Sequence, residues 1–409
     1  MKQIKKVKRC RICKSRDLYK FLDLGEMPIP NGFLREEDLP KKEKYFPLAC
    51  LFCRNCNLVQ LADVVNPDIM FKDYVYIPSG SKLLMNNFYN LACDAYKKLN
   101  LSKSSLVFDI GSNDGSLLSF FKGLGTRVLG VDPALNLAKV AKERGIPTEV
   151  GLFSRTLAKK IVSKHGQADL ITATNVVAHI DDLENLLDGI RLLLKDQGLF
   201  ICEVHYLLDL ITKNEFDTIY HEHLSYFSLK PWKVLVEKHG FEIDEVRRIN
   251  IHGGSLRLTL RKKSGGTHCK TVKYLITLEE RSGLYTEDTY RQFAGRILAL
   301  KTELKSLLVN LRAKGKKIVG LGAPAKANVI TNFFDIDPQV LDYIADATLY
   351  KQGRYTPGKH IPIYPEERIF ADLPDYSVIF TWNFANEIIQ KYRKTGTKFI
   401  IPIPEVKIV

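Results

Sequence analysis

The sequence predicts an α/β protein of three domains, and three observations support this prediction. Its 409 residues exceed one domain, since domains average roughly 150 residues. Cysteines concentrate near the N-terminus. Apolar strands alternate with amphipathic helices twice, around FDIGSNDGSLL and around GLGAPAKAN, and this alternation is typical of doubly wound parallel sheets. We therefore expect a cysteine-rich domain over residues 1–70, a Rossmann-like core over 71–264 and a second Rossmann-like domain over 265–409.

The composition narrows the class of protein. Hydrophobic residues at 45% and charged residues at 26% exclude a collagen-like or disordered chain. No apolar run approaches the roughly 20 residues of a membrane helix, and the basic start MKQIKKVKRC has no apolar stretch behind it. These features predict a soluble cytoplasmic protein. The net charge of +15 is compatible with nucleic acid, anionic lipid or a phosphorylated small molecule, and its sign alone does not choose among them.

Two cysteine pairs predict a structural zinc site. Cys10-x-x-Cys13 and Cys53-x-x-Cys56 each offer two thiolates on a tight turn, and four sulfur ligands form the closed tetrahedral set of structural zinc. Cys50 lies one C-x-x-C step before Cys53, which leaves the second pair ambiguous. The alternative is a group of unliganded thiols. The 39 residues between the pairs must form a loop or strands of their own.

The loop after the first core strand predicts the cofactor. Asp109-Ile-Gly111-Ser-Asn113-Asp114-Gly115 lacks the G-x-G-x-x-G of a dinucleotide site and carries acids that would repel a diphosphate. A cationic ligand without phosphate fits better, and S-adenosylmethionine is one. Asp132 ends the next strand, where an acid accepts ribose hydroxyls. We include Pro133 and Asn175 at neighbouring strand ends among the predicted cofactor contacts. The alternative is that these carboxylates only cap helices.

A polar stretch after the last parallel strand predicts catalytic groups. Tyr220-His221-Glu222-His223 concentrates groups that transfer protons or stabilise an oxyanion. His179 follows another strand and is expected to face the same crevice. The alternatives are half a metal site at His221-x-His223 and ordinary structural histidines. His252-Gly-Gly-Ser255-x-Arg257 turns a hairpin or lets Ser255, His252 and Arg257 approach a substrate.

The C-terminal third repeats the strand, loop and helix pattern. Gly320-x-Gly322-x-x-Ala325 approaches the dinucleotide form, with Lys326 at the helix start, and helix N-terminal amides with a lysine form a phosphate site. A nucleotide diphosphate fits these residues, and a scaffold domain without a ligand is the alternative. The predicted substrate contacts in this domain are Ala323, Lys326, Asn328, Asp346, Lys351, Arg354 and Tyr355. A transferase whose acceptor is linked to a nucleotide explains both sites.

The order of these motifs resembles a known family, the S-adenosylmethionine-dependent C-methyltransferases of nucleotide-linked ketosugars, such as the dTDP-sugar enzymes of deoxysugar antibiotic pathways. The resemblance runs nearly end to end. It rests on CRIC with LDLGEMPIPNGFL, on FDIGSNDGSLL and NVVAHIDDL, on YHEHLSYFS and IHGGSLRL, and on KQGRYTPGKHIPI and TWNFANEI. It implies a zinc-binding domain, a class I methyltransferase core with a Rossmann-like fold and a second, C-terminal Rossmann-like domain.

The resemblance also implies roles for individual residues. The zinc ligands match Cys10, Cys13, Cys53 and Cys56, and Cys50 is additional. His223 matches the general base that forms an enolate, with Tyr220 and Glu222 beside it and His179 assisting. An active-site tyrosine matches either Tyr74 or Tyr76. The segments AKANVITNF and ADATLYKQG depart from the family pattern, which leaves the nucleotide base open.

Other functions compete with this hypothesis. An RNA methyltransferase is compatible with the basic N-terminal domain, although the sequence lacks interleaved aromatic and basic residues typical of an RNA surface. A zinc-ribbon interaction protein with an inactive methyltransferase fold would not bind S-adenosylmethionine. A nicotinamide oxidoreductase would use the C-terminal glycine loop for its cofactor.

Overall fold

A computed structural model describes residues 3–71, 74–263 and 269–409 of the chain. The predicted boundary between the second and third domains, at residues 264 and 265, lies outside the described residues. Among the described residues, none of the helices has the length and apolar character needed to cross a bilayer.

The segment between the two cysteine pairs forms most of the N-terminal sheet. The elements of this domain are strands β1 (Ile4–Lys6), β2 (Leu18–Met27), β3 (Phe46–Cys53), β4 (Val59–Leu61) and β5 (Asp63–Val65), followed by helix α1 (Pro67–Phe71). β2, β3 and β4 pair antiparallel, and β1 pairs with β5 in a separate ribbon. The 39-residue spacing therefore accommodates the two longest strands of the domain.

The core is a seven-stranded doubly wound sheet. Its helices are α2 (Lys82–Lys98), α3 (Ser116–Gly123), α4 (Leu135–Glu143), α5 (Arg155–His165), α6 (Leu183–Leu193), α7 (Leu207–Thr212) and α8 (Leu229–Lys238). The seven strands of the sheet are β6 (Leu106–Ile110), β7 (Arg127–Asp132), β8 (Thr148–Val150), β9 (Ala168–Thr174), β10 (Leu194–His205), β12 (Phe241–Ile249) and β13 (Ser255–Lys262). A further short strand, β11 (Ser225–Tyr226), lies in this part of the chain but outside the sheet. The sheet order is β12-β13-β10-β9-β6-β7-β8. β13 is antiparallel to both neighbours, so the expected closing β pair is present.

The C-terminal domain contains a second, mostly parallel sheet. Its helices are α9 (Lys270–Arg281), α10 (Glu287–Ala313), α11 (Ala325–Phe334), α12 (Arg368–Asp372) and α13 (Ala385–Tyr392). Its strands are β14 (Ile318–Leu321), β15 (Ile344–Ala345), β16 (Ile363–Tyr364), β17 (Tyr376–Ile379), β18 (Lys398–Ile401) and β19 (Lys407–Ile408). The order is β16-β15-β14-β17-β18-β19, with only β19 antiparallel. The predicted second Rossmann-like domain is confirmed.

The core donates a strand to the N-terminal sheet. β11 pairs with β4 and completes the order β11-β4-β3-β2. The buried Arg11 reinforces this joint: its guanidinium donates to the carbonyl of Leu224 at 2.9 Å and to that of Leu61 at 3.3 Å. The same side chain pairs with Asp181 of the core at 3.0 Å. The loop that carries the predicted catalytic histidine is therefore held from the zinc-binding side.

We expect Arg11→Met to open this joint. The substitution removes the guanidinium donor from two buried carbonyls and from Asp181, although Leu224 keeps the Leu61 amide and Asp181 keeps Lys5 as donors, and we expect a cost of about 3 kcal/mol. Hydrogen exchange in residues 59–61 and 224–226 should accelerate roughly 100-fold, and mass spectrometry measures it. Arg9→Met is the control, because the exposed Arg9 side chain contacts only a carbonyl, at 3.4 Å. Equal exchange in both variants would contradict the proposed joint.

Candidate active site

Two glycines in the loop after β6 are required by close packing. Gly111 has φ +68°, and a Cβ there would lie 2.4 Å from a methyl carbon of Val176. Gly115 has φ +76°, and a Cβ there would meet the side chain of Ile146 at 3.0 Å. Side chains rarely adopt such φ values, so the backbone shape of this loop depends on glycine at both positions.

The two strand-end acids of the core lie beside this loop. Asp109 is buried and accepts the Thr172 hydroxyl at 2.6 Å; burial raises its pKa to about 7. Asp132 accepts the amides of Asn113 and Ala134, each at 2.9 Å. Burial also raises the pKa of Asp132. Buried carboxylates at the ends of adjacent strands suit a cationic nucleoside, because its charge and ribose hydroxyls would replace the lost water.

The remaining predicted cofactor residues differ in their surroundings. The Asp114 carboxylate is directed to its own loop, where it accepts from Ser116 Oγ at 2.6 Å and from Arg144 at 2.8 Å. Asn175 has φ +58° and a buried side-chain oxygen without a hydrogen-bond partner. Pro133 lies between Asp132 and Ala134, whose amide donates to the Asp132 carboxylate. An unpartnered buried oxygen at the end of β9 is consistent with a polar ligand above the loop.

Four sulfur atoms meet in the N-terminal domain. Those of Cys10, Cys13, Cys53 and Cys56 all lie within 4.8 Å of one another, with Cys10 to Cys56 at 3.4 Å and Cys13 to Cys53 at 3.5 Å. Zinc–sulfur bonds of about 2.3 Å require sulfur separations of roughly 3.8 Å, so the set fits tetrahedral zinc. Cys50 is buried within β3 and is not part of the set. Four protein ligands leave no open position for catalysis.

The imidazole of His223 is oriented by a backbone carbonyl. Its Nδ1 lies 2.7 Å from the carbonyl oxygen of Thr218. Because a carbonyl only accepts, Nδ1 carries the proton and Nε2 holds the free lone pair. Burial lowers the pKa of His223 well below its usual range, and nearby positive groups lower it further. The ring is therefore neutral and available to take a proton at Nε2.

Four histidine rings form a continuous group, which we call the histidine row: His179, His223, His205 and His252. Ring centroids are 5.0 Å apart for the first pair, 4.8 Å for the second and 5.7 Å for the third. Tyr220 packs on the His223 ring at 4.0 Å. His205 was not singled out from the sequence, although it is the last residue of β10. Strand-end position was therefore a signal that could have identified it.

Glu222 is held by residues from outside the core sheet. The Tyr74 hydroxyl donates to one carboxylate oxygen at 2.7 Å, and the Asn31 amide donates to the other at 2.6 Å. Burial raises the pKa of Glu222 to about 7, and both donors oppose the increase. The alternative tyrosine, Tyr76, is exposed, and its backbone carbonyl accepts from Asn113 at 3.0 Å. Tyr74 is thus the tyrosine in contact with the glutamate.

His221 and His223 do not form half of a metal site. The Nε2 atom of His221 lies 3.1 Å from the carbonyl oxygen of Phe46 and therefore donates to it. Among the residues that the structure describes, the four-cysteine set is the group of side chains with metal-binding geometry. The two histidines of this loop therefore have different hydrogen-bond partners, Phe46 for His221 and Thr218 for His223.

The predicted hairpin contacts fall into two groups. His252 has φ +55° and ends the histidine row, and such backbone strain is typical of functional sites. Ser255 donates to the carbonyl of Ile251 at 3.0 Å within the hairpin. Arg257 donates to Glu203 at 2.7 Å and to Asn87 at 2.7 Å, so its charge is already neutralised inside the core.

A cavity of about 350 Å³ opens beside the glutamate. Its lining includes Asn31 and Tyr74, which both contact Glu222, and Tyr350 from the C-terminal domain. The Arg354 guanidinium lies 3.9 Å from the Tyr350 ring centroid. The backbone of Tyr355 exchanges hydrogen bonds with Leu34 at 2.9 and 3.0 Å, so it closes this wall of the cavity.

The other C-terminal candidates surround the start of α11. Asp346 accepts the amide of Ala323 at 2.6 Å and lies 3.4 Å from the ammonium of Lys351. Asn328 donates to the carbonyl of Pro30, and its side-chain oxygen is buried without a partner. The ammonium of Lys326 is likewise buried without a hydrogen-bond partner. Asn328 thus contacts the N-terminal domain, whereas Asp346 binds groups of its own domain.

Comparisons with known proteins identify the family. A zinc binding domain matches residues 10–71, a methyltransferase domain matches 86–246 and a C-methyltransferase C-terminal domain matches 250–404. The C-methyltransferase NovU of Streptomyces niveus is 35% identical over 410 residues, which cover 99% of this chain and 98% of that protein. The chain belongs to this C-methyltransferase family. The predicted S-adenosylmethionine-dependent C-methyltransferase with structural zinc is thereby confirmed, whereas the individual residue roles stay predictions.

Two further similarities cover smaller shares of the chain. A ubiquinone biosynthesis O-methyltransferase of Bartonella bacilliformis is 31% identical over 94 residues, which cover 23% of this chain and 38% of that protein. The crystal structure of magnesium protoporphyrin IX methyltransferase from Synechocystis with bound SAH aligns at 15% identity with a TM-score of 0.36. It covers 44% of this chain and 83% of that one.

Zinc content tests the four-cysteine site. Wild-type protein should contain one zinc per chain, and Cys53→Ser should lose it with unfolding of the N-terminal domain, because the fourth ligand is missing. Cys50→Ser, a matched change in the same strand, should retain the full zinc content. Inductively coupled plasma mass spectrometry measures both. Loss of zinc in the Cys50 variant would show that the ligand set is wrong.

The pKa of Glu222 predicts a pH dependence. Both carboxylate oxygens accept hydrogen bonds, so this arrangement needs the ionised form, which prevails only above about pH 7. We expect kcat/KM to rise with pH through about 7, since His223 becomes neutral at a much lower pH. Glu222→Gln should lower activity and remove the rise of kcat/KM through about pH 7. If the rise of kcat/KM persisted in that variant, another group would be responsible for it.

Proposed function

We propose that this C-methyltransferase methylates the carbon adjacent to the ketone of a nucleotide-linked ketosugar of the dTDP type, with His223 as general base. The observation that carries the proposal is the hydrogen bond from His223 Nδ1 to Thr218, which leaves Nε2 unprotonated in a buried site. A neutral imidazole with a free lone pair is the group that removes a proton from carbon. The full-length similarity to NovU supports transfer to carbon.

The reaction needs one proton transfer and one methyl transfer. His223 Nε2 takes the proton, and the C–H electron pair moves into an enolate. S-adenosylmethionine, when bound, supplies an electrophilic methyl group on a sulfonium. The nucleophilic carbon takes this methyl group as the ketone re-forms, and the sulfur keeps the electron pair of the broken bond. Tyr220 and His179, which flank His223, are the proposed donors to the enolate oxygen, each contributing about 3 kcal/mol.

The positions of the acids support a cofactor above the loop after β6. Asp132 is the proposed ribose contact, with Asp109, Asn113 and Asn175 around it. Asp114 is better suited to holding the loop, since its carboxylate is already bound by Ser116 and Arg144. Gly111, Gly115 and Pro133 shape the backbone of the same site.

The cavity supports a small-molecule acceptor. Its volume of about 350 Å³ lies in the range of small-ligand sites. We propose that the sugar lies against Tyr74 and Glu222, with the nucleotide toward Tyr350, Arg354 and Lys351 of the C-terminal domain. Calorimetric titration with S-adenosylhomocysteine and then with dTDP, UDP and GDP tests this. Binding of the homocysteine product without any nucleoside diphosphate would contradict the proposed acceptor.

His223→Gln tests the general base. The variant should lose about 10³-fold in methyl transfer, because no group replaces Nε2 as a base. The variant should also lose the exchange of the substrate C–H proton with deuterated solvent. NMR measures this exchange under conditions in which no methyl group is transferred. Affinity for S-adenosylhomocysteine should stay within about twofold. His221→Gln is the matched control, since a glutamine amide can still donate to Phe46. Normal exchange in the His223 variant would exclude this residue as base.

A further inference from the structure

The C-terminal domain places a buried cation near the histidine row. Lys326 lies in the first turn of α11, and its ammonium nitrogen is buried without a hydrogen-bond partner. The nitrogen stands 5.0 Å from the ring centroid of Trp382. An unpaired buried ammonium costs several kcal/mol of solvation free energy, which a cation–π contact of about 2 kcal/mol only partly offsets. A cost of this size requires an explanation in function or in a ligand.

A short chain of contacts links this lysine to the general base. The indole of Trp382 donates to Asp217 at 2.7 Å. Asp217 precedes Thr218, whose carbonyl holds Nδ1 of His223. Asp217 and Glu215 each keep one buried carboxylate oxygen without a partner. The lysine, the two carboxylates and the histidines are therefore buried in one region between the core and the C-terminal domain.

The charge of Lys326 acts on this region in a consistent direction. It lowers the pKa of His223, His205 and His252, in each case after the larger effect of burial. It also opposes the increase that burial causes in the pKa of Glu215 and Asp217. A cation here favours neutral imidazoles and ionised carboxylates.

The geometry does not favour the phosphate role expected from the glycine loop. The Ala323 amide, which lies just before α11, donates to Asp346 at 2.6 Å and is therefore not free to bind a phosphate. The Lys326 side chain is directed to Trp382 instead. A diphosphate would also approach Asp346, a like charge.

We propose, on the basis of the proposed function, that Lys326 is a positioning residue of the reaction. Its charge acts together with burial to keep His223, His205 and His252 neutral before proton abstraction, and it balances the negative charge when the enolate forms. No bond to Lys326 forms or breaks, and the proton passes from carbon to His223 Nε2. The other titratable groups that face this region are His179, His205, His252, Tyr220, Glu222, Glu215, Asp217 and Lys213.

Histidine titration tests the proposal without any substrate. Zinc-loaded full-length protein labelled at histidine is titrated by NMR from about pH 3 to about pH 8 as wild type, Lys326→Met and Lys326→Arg, a range that includes the lowered pKa of His252 at about 4. Removal of this charge should raise the midpoints of His223, His205 and His252 by about one pH unit in the methionine variant, because these are the imidazoles whose pKa the lysine lowers. The arginine variant should titrate like wild type. Lys326→Gln replaces the methionine variant if the latter loses its zinc.

Kinetics with the accepted nucleotide-linked substrate complete the test. In Lys326→Met, the fall of kcat/KM at the lowest pH values should shift to higher pH, in parallel with the histidine midpoints. KM should change less than about threefold. Lys301→Met is the control, because its ammonium also lies over an aromatic ring, that of Phe333 at 4.4 Å. Unchanged histidine midpoints would overturn the proposal. A tenfold rise in KM with unchanged midpoints would also overturn it and restore the phosphate role. If no ketosugar is methylated, the proposed function fails while the NMR result still decides the charge effect.

Discussion

The backbone of Leu224 is the point on which the active site depends. Its amide donates to the carbonyl of Ala178 at 2.8 Å, and its carbonyl accepts from the Leu61 amide at 3.0 Å and from Arg11 at 2.9 Å. Because His223 and His179 are the neighbours of these two backbone groups, this hydrogen bond brings the imidazoles side by side. Arg11 follows Cys10 directly, so the zinc knuckle fixes the donor that holds the loop. The structural metal thus acts on the site through a buried guanidinium, although it has no open ligand position of its own.

Each domain supplies something that the others lack. The core carries the strand-end acids and the histidine row. The N-terminal insert provides Asn31, which holds Glu222, and α11 of the C-terminal domain is buried among all three parts of the chain. Such burial removes water from the histidines and the glutamate, which is the first cause of their shifted pKa values. The shifted pKa values of the histidines and of Glu222 therefore depend on the assembly of all three domains. In the core sheet alone these groups would be hydrated and would have their usual pKa values.

Local patterns in the sequence were sufficient for the fold and for most of the candidate site. Strand and helix periodicity identified both doubly wound sheets. The cysteine spacing predicted a four-sulfur site but left Cys50 as an alternative in the second pair, and the family resemblance selected Cys53 and Cys56. Strand-end position located Asp109, Asp132 and the His223 loop. Asn31 could not be found in this way, since a loop asparagine has no periodicity and its contact lies 191 residues away. The same limit applies to Arg11 and Trp382, whose roles arise only from tertiary contacts. The sequence also could not choose between Tyr74 and Tyr76, because both lie in the same short motif. The hydrogen bond from Tyr74 to Glu222 distinguishes them.

The charge balance of the site is consistent with a cationic methyl donor. Burial raises the pKa values of Asp109, Glu222 and Glu215 to about 7, so these acids lie close to half-ionised near neutral pH without a ligand. A sulfonium held by the loop after β6 would favour the ionised form of an acid beside that loop, such as Asp109, and the acid would in turn favour the cation. The histidines would respond in the opposite sense, because a second cation, added to that of Lys326, would further disfavour imidazolium. Cofactor binding and a neutral base are then two results of one electrostatic arrangement. Proton abstraction before the cofactor is bound would lack part of the charge that stabilises the enolate.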